Sequence, residues 1–581
     1  MKPISKTSWI MLLIGSLIVF LLGCAAGRGY RAGVAEGKDP VNALSNAVSA
    51  IGNILPISYQ KTDMLVGLAA VFALMLGVLY HWTNQHKYRT GEEHGSAHWA
   101  KPADMAPFTD ADPKKNLQFT QTEGISLDTR ASQRNTNVCV VGGSGSGKTR
   151  SYVLPNLRNA NMSYAITDPK GEIHQEVAQE LASKGYQVHA LNLVDLQASD
   201  RFNPMAYIDP ASPEPAILRM VENIVTNTDG ENKPDAFWDK AERALLNALC
   251  AWVYFMYDDP DLTKVVDMVG NMEASEADEN HMSVIDATMA SANELLDEYT
   301  NQRAEWIDED MDTDELDRIM QGLRFCVSQY RTYQQGAGET KKSIIISLGV
   351  RLAPLQVSEI RKLLSGDTMQ LDTVGERPSA VFMILPDTNR TFNFLAAVFY
   401  QCLFESLVYK ADHSPQGRLA VPVHCFLDEF ANIGRIPNFE TLIATIRSRA
   451  ISVSVIIQAK SQLEHLYREK SWETIVGNCD NILFLGAGKG DESTPKWISG
   501  LLGCETIEAR SVSDSRGNSS SYSISNQAIK RELLTPDELG SEKFPTHKCI
   551  YMLRGVSPFL SEKIDPAKPI KRPKSKIKGR H

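Results

Sequence analysis

The residues with the clearest chemical potential form one glycine-rich stretch of eight residues. It is Gly142-Gly143-Ser144-Gly145-Ser146-Gly147-Lys148-Thr149, which fits the pattern G-x-x-x-x-G-K-[ST]. Glycines let the backbone turn so that successive N–H groups face a phosphate, and the start of a helix adds partial positive charge. In such a loop Lys148 reaches the β- and γ-phosphates, and the Thr149 hydroxyl binds Mg²⁺. The stretch predicts a site for ATP and Mg²⁺, and the alternative is a flexible glycine-rich loop.

A second group of candidate residues lies much further along the chain. Val423 to Leu427 is an apolar run that ends in Asp428 and Glu429. An aspartate at the end of a strand can hold the water shell of Mg²⁺, and the next carboxylate can act on the attacking water. Another apolar run ends at Gln458, an amide that either senses the γ-phosphate or is an ordinary strand-end residue. Together with the glycine-rich stretch, these residues predict ATP hydrolysis.

Short β-branched runs and helical patterns alternate around these residues. The run before the glycine-rich stretch, 137–141, reads as a buried strand, and Pro155 limits or kinks any helix that begins at Thr149. The other predicted strands are 163–167, 186–193, 380–385, 423–427, 451–457 and 481–485. Strands separated by helices predict a parallel α/β sheet. From about 205 to 345 the apolar residues recur at helical spacing instead, which predicts an inserted all-α domain.

Two uncharged apolar stretches near the N-terminus are long enough to cross a bilayer. They are predicted as spans at about 9–26 and 64–82, within a membrane anchor of residues 1–82. Flanking cations mildly favour both ends in the cytoplasm, and a site for ATP requires the same side. An alternative concerns Leu21 to Cys24, which looks like a lipoprotein cleavage box with lipid added to Cys24.

Composition and charge limit the classes of protein to which the chain can belong. A chain of 581 residues is too long for one core, and a net charge of -10 does not suggest a generic nucleic-acid binder. Nine scattered cysteines without a C-x-x-C pair fit a reducing compartment. Residues 83–135 are predicted as a polar linker.

Three further segments stand out by their bias. Acids are dense from Asp258 to Asp317. They form either a surface that docks another protein or only a solvated helical face. Ser511 to Ser525 contains eight serines and is predicted to be mobile or a hairpin. Lys568 to Arg580 holds seven cations and no acid. This tail is predicted to be disordered, and either contacts DNA, anionic lipid or an acidic protein, or only aids solubility.

Several motifs taken together resemble one family. From about Gly95 to the end, the chain is similar to the type IV secretion coupling proteins of bacterial conjugation, of the TraG/TraD kind. The resemblance is carried by the glycine-rich stretch and by these segments: Gly95 to Trp99, Asp168 to Glu172, Arg201 to Pro204, Asp235 to Trp238, Asp428 to Gly434, Gln458 with Ser461 to Leu463, and Leu533 to Glu538. Two N-terminal spans with a short outer loop also resemble that family.

The resemblance implies a RecA-like ATPase domain, here 136–204 with 346–555, interrupted by the all-α domain 205–345 and followed by a basic tail, 556–581. It implies a homo-hexameric ring on the inner membrane that recruits single-stranded DNA with its relaxase, accessory proteins and channel subunits. The family places an arginine that acts on the neighbouring subunit near Arg447, with Arg449 as the second candidate. Three alternatives remain open at this point: a DNA-pumping ATPase of the FtsK kind, a receptor for secreted effector proteins, and a receptor that binds ATP only to assemble.

Overall fold

The computed structural model describes residues 6–83, 91–228, 236–275, 281–389, 391–515, 521–540 and 542–577. These residues form two compact units, Met1–Glu93 and His94–His581.

The first unit consists of three helices: α1 Lys6–Ala35, α2 Pro40–Ile51 and α3 Lys61–Thr83. Within α1 and α3, Ile10–Ala35 and Lys61–Tyr80 are long and apolar enough to cross a membrane. The two helices approach closely at glycines, since a Cβ on Gly23 would lie 2.7 Å from the Cα of Gly67. The segment between the two predicted spans is mostly helical and not a short loop, because α1 continues past residue 26 and is followed by α2.

Cys24, the residue of the lipoprotein alternative, lies within the continuous helix α1 and is buried. A Cβ on Gly67 would lie 2.7 Å from its sulfur. A lipid on this sulfur would therefore have to separate α1 from α3.

The second unit contains a nine-stranded sheet, a two-stranded sheet near its N-terminus and a long hairpin. In chain order the strands are β1 Asn116–Gln118, β2 Gly124–Ser126, β3 Val138–Gly142, β4 Ser163–Pro169, β5 Gln187–Asn192, β6 Ser379–Leu385, β7 Val423–Leu427, β8 Ile451–Ile457, β9 Asn481–Gly486, β10 Cys504–Ser515, β11 Ser521–Glu532, β12 Lys548–Leu553 and β13 Phe559–Glu562.

The large sheet has the order β13-β12-β9-β3-β8-β7-β4-β6-β5. Its seven strands from β9 to β5 are parallel, as the alternating pattern predicts, whereas β12 and β13 add an antiparallel edge. Both faces are covered: along β3, Val138 and Val140 join one hydrophobic cluster, and Cys139 and Val141 join the other. This burial explains why the parallel strands read as continuous apolar runs.

The α-helices of this unit are α4 Thr129–Ser132, α5 Leu154–Asn159, α6 Glu172–Ser183, α7 Pro213–Thr228, α8 Ala236–Met256, α9 Leu262–Gly270, α10 Val284–Asp308, α11 Asp314–Gln334, α12 Gly338–Leu352, α13 Ser358–Leu364, α14 Asn393–Asp412, α15 Phe439–Thr445, α16 Lys460–Leu466, α17 Ser471–Gly477, α18 Ser493–Leu502 and α19 Pro536–Leu539. The elements described between β5 and β6 are helices and short 3₁₀ turns, and they share one core with a face of the sheet. α14 is apolar enough to cross a membrane by composition, but it is mostly buried in that core.

The segment predicted as a polar linker folds onto this unit from His94 onward. The small β1–β2 sheet buries Leu117 and Ile125 completely, in the same cluster as one face of the large sheet. The linker prediction fails because short strands of three residues give almost no periodic signal.

The prediction of a disordered basic tail is also wrong for the described residues up to 577. The tail runs along the β1–β2 sheet, where the Lys571 N–H donates to the Gln121 carbonyl at 3.0 Å and Arg572 Nε donates to Gln118 Oε1 at 3.0 Å. Residues 578–581 lie outside the described range.

The serine-rich segment belongs to the β10–β11 hairpin, in which Cys504 pairs with Glu532 and Ser515 with Ser521. Of the two predicted alternatives, the structure has the hairpin. Residues 516–520, at its turn, lie outside the described residues.

Candidate active site

The glycine-rich stretch connects β3 to a π-helical turn, Thr149–Val153, and then to the short α5, whose first turn contains Pro155. Gly145 and Gly147 have φ values of 72° and 86°, which side chains with a Cβ rarely adopt. Gly143 faces another loop, since a Cβ there would lie 2.6 Å from the backbone N of Gly488. The glycines are therefore required by the backbone path as well as by close approach.

The loop offers unused hydrogen-bond donors. Within the described part of the chain, the backbone N–H groups of Ser144, Gly145 and Gly147 donate no hydrogen bond. The Ser146 hydroxyl is buried and also has no partner there. Successive free N–H groups on one loop, beside a buried hydroxyl without a partner, fit a bound anion such as a phosphate.

Lys148 and Thr149 face the two carboxylates that follow β7. Lys148 Nζ donates to the Gly142 carbonyl at 2.7 Å, and the Thr149 hydroxyl donates to Asp428 Oδ2 at 3.2 Å. Burial lowers the pKa of Lys148, while the charges of Asp428 and Glu429 oppose that change. Burial likewise raises the pKa of Asp428, and the positive charge of Lys148 opposes it. A hydroxyl beside a buried carboxylate is a suitable pair of oxygen ligands for Mg²⁺.

Glu429 is held by two amides. Its backbone has a φ of 47°, an uncommon value for a residue with a side chain. Asn432 Nδ2 donates to Glu429 Oε2 at 2.8 Å, and Gln458 Nε2 donates to Glu429 Oε1 at 3.2 Å. Gln458, which follows β8, thus contacts the carboxylate predicted to act on water.

One cavity of about 310 Å³ lies at the carboxyl edge of the parallel strands and is lined by Lys148, Thr149, Asp428, Glu429 and Gln458. Its lining also includes residues that sequence reasoning did not assign to the site: Arg150, Asp168, Pro169, Lys170, Glu172 and Ile173. Asp168 follows from the position of its strand, since β4 lies next to β7 and its carboxyl end meets the same edge.

Asp168 is fully buried at this edge of the sheet. It accepts the N–H groups of Ile173 at 3.1 Å and His174 at 2.7 Å. Burial raises its pKa to about 6, although the two N–H groups oppose the change. The sequence signal was present, as an acid directly after the predicted strand 163–167, but Asp168 was used only as part of the segment Asp168 to Glu172 that carries the family resemblance.

Arg447 lies at the other edge of the sheet. It precedes β8, whereas Gln458 follows that strand, so roughly 20 Å separates them along the seven residues. Arg447 Nη2 donates to the Thr129 carbonyl at 2.9 Å. Arg449 instead forms an ion pair with Asp412, with Nε 2.7 Å from Oδ1. Neither arginine reaches the cavity within one chain.

A parallel sheet with a phosphate-binding loop and two carboxylates at its carboxyl edge defines a P-loop nucleotide-binding protein of the RecA-like type. The family model described as Type IV secretory system Conjugative DNA transfer matches residues 100–565. The chain belongs to this family, which confirms the resemblance inferred from its motifs.

Known relatives agree with this assignment. Protein VirD4 of Rhizobium radiobacter is 21% identical over 524 residues, covering 88% of this chain and 69% of that protein. Protein VirD4 of Agrobacterium fabrum is 20% identical over 526 residues, covering 88% and 71%.

Solved structures share the fold at low identity. The unbound bacterial conjugative coupling protein TrwBdeltaN70 has a TM-score of 0.57 at 13% identity, covering 83% of this chain and 96% of its own. The plasmid coupling protein TrwB in complex with ADP and Mg²⁺ has a TM-score of 0.56 at 13% identity, covering 83% and 100%. The RecA-like fold expected from the sequence is thereby confirmed.

Proposed function

We propose that this protein is a membrane-anchored ATPase that couples a DNA–relaxase substrate to a type IV secretion channel during bacterial conjugation. The observation that carries the proposal is the convergence of Lys148, Thr149, Asp428 and Glu429 in one cavity. The match of residues 100–565 to the conjugative DNA transfer family supports the DNA substrate.

ATP with Mg²⁺ is the cofactor that the cavity fits best. TrwB, which shares the fold, was solved with an ATP analogue and with ADP and Mg²⁺. Here the loop N–H groups and Lys148 would hold the phosphates, and Thr149 and Asp428 would hold the metal. Bound Mg²⁺ would neutralise phosphate charge as it shifts during transfer.

Glu429 is proposed as the carboxylate that orients water. Its two oxygens accept hydrogen bonds from Asn432 and Gln458, which fix the plane of the carboxylate. A carboxylate held in this way can align a water molecule and accept its proton. Gln458 then links the end of β8 to the state of the site, consistent with its predicted role as a sensor.

A homo-hexameric ring is proposed as the active assembly. In a ring, the amino edge of one sheet can face the carboxyl edge of the next, which gives Arg447 a site to act on in the neighbouring subunit. Among the described residues, Arg447 forms no ion pair and donates to a backbone carbonyl, whereas Arg449 is paired with Asp412, so Arg447 is the better candidate.

The inner membrane is the proposed location, with α1 and α3 as two spans and the bulk of the chain in the cytoplasm. Their apolar windows have mean hydropathies of 2.5 and 2.1. The proposed partners are single-stranded DNA through its relaxase complex, accessory proteins and channel subunits.

Recovery of cross-linked partners from mating donor cells tests this function. The tagged protein should recover the transferred strand and its relaxase. The Lys148→Ala variant should still recover them, while DNA transfer falls by orders of magnitude. Recovery of effector proteins without relaxase would favour the effector receptor instead, and recovery of bulk chromosomal duplex would favour a translocase of the FtsK kind.

A further inference from the structure

Lys563, the residue after β13, contacts the phosphate-binding loop from outside the cavity. Its Nζ donates to the Ser146 carbonyl at 2.8 Å, and its own N–H donates to the His547 carbonyl at 2.9 Å. Its side chain is partly buried, and burial lowers its pKa. Within the described residues its ammonium group forms no ion pair, so a desolvated cation stands beside the loop without a counter-charge.

The carbonyl that Lys563 contacts belongs to the peptide group joining Ser146 to Gly147. A donor at the oxygen of a peptide group polarises that group and makes its N–H a stronger donor. The N–H of this peptide is that of Gly147, one of the loop donors without a partner among the described residues. Lys563 can therefore act on a bound phosphate through the peptide, and through its charge.

The tail that follows fixes the position of Lys563. Ile564 is buried, and the Asp565 N–H donates to Gln121 Oε1 at 2.9 Å. Gln121 Nε2 donates in turn to the Pro569 carbonyl at 2.8 Å. Gln121 thus clamps the chain directly after Lys563 to the segment beside β1 and β2.

We propose that Lys563 is a positioning residue of the phosphate-binding loop, and that the tail clamped by Gln121 holds it against the Ser146 carbonyl. The proposal extends the ATPase site of the proposed function. It gives the basic C-terminal segment a part in nucleotide binding, in place of contact with DNA or lipid.

Titration of ADP with Mg²⁺ into the full-length, detergent-solubilised protein by calorimetry tests the proposal. Lys563→Met keeps the apolar stem and removes the charge and the donor, and it should weaken ADP binding about tenfold, because the Gly147 N–H becomes a weaker donor and a positive charge near the phosphates is lost. Lys563→Arg should stay within about threefold of the parent protein. Lys571→Met is the matched control, because Lys571 is exposed and, among the described residues, its side chain forms no hydrogen bond or ion pair. ADP binding by Lys563→Met within twofold of the parent would overturn the proposal.

Steady-state kinetics separate positioning from a folding defect. The contact acts on ground-state and transition-state phosphates alike, so Lys563→Met should raise KM for ATP and leave kcat within about twofold. Misfolding would lower the active fraction, and hence apparent kcat, at unchanged KM, and that pattern would contradict the proposal.

Gln121→Ala provides a second test that leaves Lys563 intact. It should weaken ADP binding in the same direction by loosening the clamp, and unchanged binding would contradict the role of the tail. If the parent protein bound ADP but hydrolysed no ATP, the proposed function would fail while these binding tests still applied.

Discussion

The two edges of the large sheet differ in what a single chain can complete. At the carboxyl edge, Lys148, Thr149, Asp428 and Glu429 line one cavity, and the Thr149 hydroxyl donates to Asp428. At the amino edge, Arg447 donates to the Thr129 carbonyl and forms no ion pair within the described residues. We propose from this difference that one subunit binds nucleotide by itself and that rapid hydrolysis requires the amino edge of a neighbouring subunit.

Arg447→Ala should have the largest effect on the rate of ATP hydrolysis, because an arginine that acts on a neighbouring subunit is worth about 10³ to 10⁵ in rate. ATP binding should be unchanged, since the residue lies outside the cavity. Steady-state hydrolysis and nucleotide titration measure the two effects. Arg449→Ala, which removes the ion pair with Asp412 and a hydrogen bond to the Thr445 carbonyl, is the control and should retain most activity. Equal losses in both variants would contradict a specific role for Arg447.

Glu429→Gln, at the carboxyl edge, should slow ATP hydrolysis by a factor of about 10² to 10⁴, the range for a positioned general base. ATP binding should persist, because the phosphate-binding residues are intact. A filter-binding assay beside a phosphate-release assay tests the split. Turnover at the parental rate would show that Glu429 does not act on water.

The contrast between the edges also shows what the sequence can predict. The apolar runs before Gly142, Asp428 and Gln458 predicted both the strands and their functional ends, because parallel strands place their carboxyl ends together. By contrast, the packing of Gln121 on the tail joins residues more than 400 positions apart and gives no local pattern. Asp168 had a local signal, as an acid directly after a predicted strand, but its place beside Asp428 depends on the order of the strands, which the sequence does not show.

Asp168 allows a smaller test, in the thermal stability of the nucleotide-free protein. Its pKa is raised to about 6 by burial, so the folded state binds its proton more tightly than the unfolded state does. Ionisation of this carboxyl therefore lowers the free energy of unfolding as pH rises from about 4 to 6, by at most about 3 kcal/mol. The melting temperature of Asp168→Asn relative to the parent should be higher at pH 7 than at pH 4.5. A difference that does not vary with pH would contradict the assignment.

The smallest expected effect concerns acids at the end of α10 and in the connection from α10 to α11. Five exposed acids there are to be neutralised together: Glu305, Asp308, Glu309, Asp310 and Asp312. If they dock basic partners, recruitment should fall several-fold at low salt and converge with the parent at high salt, while basal ATPase activity is unchanged.

Neutralising Glu294, Asp297 and Glu298, which are exposed earlier on α10, is the control for location. Pull-down of relaxase at two salt concentrations measures recruitment. Equal recovery at low salt by the parent and the five-acid variant would leave these acids as a solvated surface.

We propose that each active site of the ring combines the carboxyl edge of one subunit with the amino edge of the next. Mixing the inactive variants Glu429→Gln and Arg447→Ala tests it most directly, because a mixed ring contains interfaces with an intact Glu429 facing an intact Arg447. Differently tagged variants, co-purified to verify mixed assemblies, should hydrolyse ATP well above the sum of the separate proteins, up to about a quarter of the parental rate if subunits mix at random. Verified mixed assemblies that remain as inactive as the separate variants would contradict the composite site.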